Sequence, residues 1–166
     1  MQLLADHHWR AMTGTLGLFA ACGLFAGTLE AQQIVNGCRI QPRTVCENAK
    51  LANVNLASAK LNDAKLPGAD FSGAQLVAVD FYSANLAGAK FVGADLTKAV
   101  LSRANLSNAD LSGANLTAAT LRAANLRGAK LLDANLARVE LTYADVSGAI
   151  WSDGRTCGQN SIGRCN

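Results

Sequence analysis

Ala104-Asn105-Leu106-Ser107-Asn108-Ala109-Asp110-Leu111-Ser112-Gly113-Ala114-Asn115-Leu116 repeats its own pattern every five residues. Outward from this stretch the register holds from Leu51 to Trp151, where every fifth residue is large and apolar, 21 in all. Two places before each stands Ala, or Val at positions 54, 79 and 139. Asn, Asp or Lys often stands immediately before it. A period of five fits neither the 3.6 of an α-helix nor the 2 of a flat strand. Glycine at regular intervals, with Asn and Asp throughout, further opposes a helix. The pattern predicts a solenoid in which each five-residue unit forms one short side and turns a corner.

Sorting the residue two places after each central Leu or Phe, modulo twenty, separates two populations. On two adjacent sides the slot holds only Gly, Asn or Asp, from Asn53 and Gly68 to Gly148 and Asp153. These residues tolerate a positive φ, as the third residue of a type II turn requires. On the other two sides it holds Ser58, Asp63, Ala78, Ser83, Lys98, Arg103, Ala118, Ala123, Arg138 and Tyr143, with no Gly or Asn. The true period is therefore twenty, which means four sides, with corners of two chemical kinds.

The run from Ala104 to Leu116 resembles the pentapeptide-repeat family, whose motif is A-(D/N)-L-x-x; the resemblance covers residues 49–153. It implies an all-β fold, a right-handed quadrilateral β-helix of about five coils with the central residue and the Ala pointing inwards. The period of twenty then stacks Phe71 and Phe91 on one side and puts Phe81 on the opposite one. Each buried Leu or Phe contributes about 1.5–3 kcal/mol before conformational entropy is subtracted. At about 4.8 Å per coil the rod is roughly 25 Å long. Lys50, Asp70, Lys90, Asp110 and Lys130 fall in one outward column, predicting a ladder of alternating charge that sets coil register.

The flanks supply an address and two end caps. Residues 11–29 carry no charge, Leu16 to Phe25 are largely apolar, and Ala31 is a small residue before Gln32. That pattern reads as a secretory signal peptide over residues 1–31. Nineteen uncharged residues would also serve as a short uncleaved anchor, and Cys22 offers a lipidation alternative. Cleavage removes His7, His8 and both methionines, and taking Arg10, Asp6 and Glu30 from the 15 basic and 12 acidic residues leaves a net charge of +4. Cys38 and Cys46 directly precede the repeats, and Cys157 and Cys165 directly follow them. In an exported chain such pairs read as local disulfides, each contributing about 2.5 kcal/mol on the chain-entropy model. A four-cysteine metal site is the alternative, with neither C-x-x-C spacing nor histidine in its favour. Residues 32–48 and 154–166 are thus expected to be disulfide-stapled caps around a β-helix over 49–153, with Trp151 as a lid.

No catalytic constellation, cofactor site or metal site is expected. The mature chain has no histidine base, its carboxylates are scattered over outward slots, and its glycines are corners rather than phosphate loops. One basic cluster stands out: Lys98, Arg103, Arg122, Arg127 and Arg138, on adjoining faces of the C-terminal half. It suits an anionic partner such as phospholipid headgroups, acidic glycan or an acidic protein, beside the simpler reading of a solvated face. The expectation is a monomeric, non-enzymatic module of the bacterial envelope, periplasmic or secreted, with no membrane insertion after cleavage, no nucleic-acid partner, and an unknown protein or anionic envelope component as partner. The resemblance also implies an alternative, since some cytoplasmic family members mimic DNA and engage type II topoisomerases. The positive charge, the apolar leader and the absence of a loop insertion all oppose it.

Overall fold

The computed structural model describes residues 33–166. The expected signal segment, its anchor alternative and Cys22 lie outside the described residues. The chain begins with a hairpin of β1 (Gln33–Val35) and β2 (Cys38–Ile40), paired antiparallel. Asn36 and Gly37 both have positive φ, 49° and 81°, the geometry a two-residue hairpin turn requires.

Beyond the hairpin the chain winds as a right-handed four-sided β-helix. Parallel bridges join each outward residue to the one twenty later, from Val45↔Lys65 to Lys130↔Ile150. One side shows how every side is held. The Leu106 amide donates to the Asn125 carbonyl at 2.7 Å and the Asn108 amide to the Arg127 carbonyl at 2.9 Å, both on the next coil. The Asn105 amide donates to the Ala84 carbonyl of the coil before at 2.9 Å, and the Ala109 amide closes the corner onto the Leu106 carbonyl at 3.0 Å. One amide per side is left out of this ladder, the one just after the central residue. Where Asn or Asp precedes the central residue, its Oδ1 accepts that amide: Ser107 N–H to Asn105 at 3.2 Å, Thr97 N–H to Asp95 at 3.0 Å. This explains the (D/N) of the motif, because the side chain closes an Asx turn over a donor the backbone cannot satisfy.

The interior matches the pattern. The central residues from Leu51 to Leu131 and the alanines from Ala64 to Ala134 are buried. Phe71 and Phe91 stack with ring centroids 5.0 Å apart and planes 4° apart, and Phe81 meets both edge-on from the opposite side. Offset and edge-on pairs of this kind add about 0.5–1.5 kcal/mol beyond the area they bury.

Two expectations are corrected. The corners differ in residue type but not in backbone: Ser58, Ala78, Lys98, Arg103, Ala123 and Tyr143 sit at φ +53° to +62°, beside +64° to +66° for the glycines at positions 68–128. The ladder imposes one turn on all four sides and forces ordinary L-residues into it. Three glycines stand directly over an Asn side chain of the coil before. A Cβ at Gly128 would come within 2.6 Å of Asn108 Oδ1 on the coil before, and Gly68 and Gly73 stand in the same way over Asn48 and Asn53. Nothing crowds Gly88, Gly93 or Gly148, and no contact accounts for glycine there.

The charge column stacks as expected, with Lys50↔Asp70, Asp70↔Lys90, Lys90↔Asp110 and Asp110↔Lys130 bridged. Yet no salt bridge forms within it among the described residues. The carboxylates are held by their own corners: Asp110 accepts the Ser112 hydroxyl at 2.6 Å and its amide at 3.1 Å. At Asp70 the Ser72 hydroxyl and amide hold the carboxyl below the usual range, and Lys90 adds a smaller effect.

Both cysteine pairs are disulfides, Cys38–Cys46 and Cys157–Cys165. At the N-terminal end the hairpin lies against the first coil, with Cys38 buried and Val35 and Ile40 packed on the core. At the C-terminal end the chain doubles back antiparallel, through Ile150↔Thr156 and Asp145↔Ile162. The Trp151 amide bonds the Arg155 carbonyl, and its ring, half-buried, packs on the core as a lid. Reversing strand direction at the last coil occupies the edge that a further coil would otherwise pair with.

Candidate functional site

Two corners flank one face of the C-terminal half. Lys98, Ala118 and Arg138 stack along the first. Along the second stand Tyr82-Ser83, Ser102-Arg103, Arg122-Ala123 and Thr142-Tyr143, one pair per coil. Between the corners Val100, Thr120 and Glu140 bridge in register.

Four of the five cations singled out in the sequence therefore share this face. Arg127 does not; it stands one corner further on and pairs with Asp145 at 3.1 Å. Arg122 pairs with Glu140 at 3.1 Å across the edge of the face. Lys98, Arg103 and Arg138 have no carboxylate partner among the described residues. Exposed pairs such as these contribute only about 0.2–1 kcal/mol. Lys98, Arg103 and Arg138 stand outside these pairs on the same face.

The structure adds two residues that the charge pattern could not show. The Arg103 guanidinium lies over the Tyr82 ring, 5.9 Å from its centroid, within cation–π range. Tyr143 is 73% exposed in a corner at φ +62°. A shallow depression of about 370 Å³ opens between them, lined by Tyr82, Ser102, Arg103, Arg122, Ala123 and Tyr143. Ala123 makes the dip, because a small corner residue lies between larger ones on the coils before and after. The signal was present in the modulo-twenty sorting, where Tyr143 is the one aromatic among the residues two places after the central position.

Such a surface binds by charge, by ring faces and by hydroxyls. Among the described residues no three of His, Cys, Asp and Glu converge to hold a metal ion. The four cysteines, paired at opposite ends, are not one metal site.

A family model described as "Pentapeptide repeats" matches residues 43–76, 80–117 and 114–150, in eight copies. Among solved structures, a pentapeptide repeat protein from the thylakoid lumen of Arabidopsis thaliana is 35% identical with TM-score 0.61; the match covers 62% of this chain and 72% of that one. The pentapeptide repeat protein Rfr23 from the cyanobacterium Cyanothece 51142 is 28% identical with TM-score 0.56, covering 64% and 90%. No curated protein matches the sequence.

Proposed function

The chain belongs to the pentapeptide-repeat family, and from that premise we propose that it is an exported, non-enzymatic binding module of the bacterial cell envelope. The observation that carries this reading is the pair of disulfides, one closing each end of the solenoid. Structural disulfides persist in oxidising compartments and are rare in the cytosol of mesophiles. The charge-free stretch over residues 11–29 supplies the export route. The thylakoid-lumen location of the similar Arabidopsis protein points the same way.

The non-enzymatic part of the reading rests on the surface chemistry. Residues 33–166 contain no histidine, and most of their carboxylates are engaged by corner amides or arginines, Glu47, Asp63 and Asp133 excepted. A rigid rod with one cationic face suits presentation to a partner. Cell fractionation of the host tests the proposal: the protein is expected in the periplasm or medium, and recovery in the cytosol with free thiols would overturn it.

A further inference from the structure

The corner that carries Tyr82, Arg103, Arg122 and Tyr143 has a second unusual feature, in its backbone. On most sides the outward amide after the central residue is taken by Asn or Asp two places earlier. At this corner Asp80 does so for Tyr82, at 2.9 Å. In the next three coils that slot holds Val100, Thr120 and Glu140. The amides of Ser102, Arg122 and Thr142 accordingly find no acceptor among the described residues. No other corner leaves this amide open in three successive coils within the described residues. The result is a column of three N–H donors, spaced by the coil repeat of about 4.8 Å, beside two guanidinium groups. A tyrosine stands at each end of the column, roughly 14 Å apart over three coils.

We propose that this corner binds a carboxylated polysaccharide laid along the solenoid axis, its carboxylates on the amide column and Arg103 and its sugar rings against Tyr82 and Tyr143. The inference rests on the envelope reading given above and deepens it. Amide columns and guanidinium forks are recognition groups for carboxylates. Exposed tyrosines offer flat faces to sugar rings. Tyr143 gains no burial and occupies a backbone conformation that disfavours bulky residues, so packing gives no reason for it.

The aromatic residues favour a saccharide over an acidic peptide. Tyr82 and Tyr143 both line the depression, one at each end of the amide column, and offer flat faces to rings that an acidic peptide lacks. A bilayer would call for large aliphatic groups to insert, and the depression is lined by two tyrosines, one alanine, a serine and two arginines.

The test is a binding titration of the full chain with polygalacturonate, with its methyl ester, polyglutamate, and phosphatidylglycerol-containing vesicles as comparisons. Polygalacturonate is expected to bind, more weakly as salt rises, and the ester is not. Arg103→Gln and Tyr143→Ser are each expected to weaken binding at least tenfold, and Lys90→Gln on a different face to leave it unchanged. The decisive variant is Val100→Asn with Thr120→Asn, which places the usual Asx acceptors over two open amides without altering charge. It is expected to fold as the parent does, by circular dichroism, and to lose binding severalfold. No binding of polygalacturonate, equal or tighter binding of polyglutamate or vesicles, or full affinity in the Asn variant would overturn the proposal. Fractionation separates the two readings: an exported protein without the binding loses the site alone, and a cytosolic one that binds in this pattern loses only the compartment.

Discussion

Ala118 at φ +57° and Ala123 at φ +53° show what a corner demands of one residue. An L-residue in this region costs on the order of 1–2 kcal/mol, yet Lys98, Arg103 and Tyr143 accept it as well. The ladder bonds on both sides of each corner hold the conformation against that cost. Ala118→Gly is therefore expected to stabilise the protein by about 0.5–1 kcal/mol, read from the denaturant midpoint; a loss of stability would mean the corner relaxes elsewhere. Asp70 carries the second residue-scale prediction. Its folded carboxyl titrates below the usual range, so its contribution is fully present above the unfolded pKa of about 3.9 and is lost as pH falls through the folded value. Wild type should lose stability relative to Asp70→Asn as the pH falls below about 4. Parallel stability curves for the two proteins would contradict this. Residue type alone could not reveal the uniform corner, because Ser58, Ala78, Lys98, Arg103 and Tyr143 adopt the same positive φ as the glycines.

At the scale of a side and its neighbours, the sequence was most legible where one physical rule acts alone. Inward Leu, Phe and Ala obey burial, so Phe71, Phe81 and Phe91 fell where the period of twenty put them. Phe81→Ala is expected to cost about 3–5 kcal/mol, measured by chemical denaturation, and a cost below 1 kcal/mol would mean the coils collapse around the gap. The outward column was read less well. Asp70 and Asp110 had a choice between Lys above and below and the amide of their own corner, and the local bond prevailed. The N-terminal hairpin was legible in Asn36-Gly37, a strong two-residue turn signal overshadowed by the cysteines. The caps lead to a prediction about edges. Reducing both disulfides should lower the melting temperature or produce oligomers, as loosened caps expose coil edges to other molecules. A monomer with unchanged melting temperature would show that the caps hold without their staples.

Over the described residues the period of five became a rod with two closed ends and one distinctive face. The rod and its staples could be read from repetition and cysteine spacing. The face could not, because it depends on Tyr82, Arg103, Arg122 and Tyr143 meeting across coils and on three corners that lack Asn or Asp. Charge counting found four of its cations and added Arg127, which Asp145 neutralises elsewhere. The central claim is that this is an exported, oxidised binding module, and the intact mass of the protein isolated from its host tests it most directly. The account predicts a chain that begins at Gln32 and is four hydrogens lighter than its reduced form. A mass equal to the full chain from Met1 with all thiols reduced would contradict it.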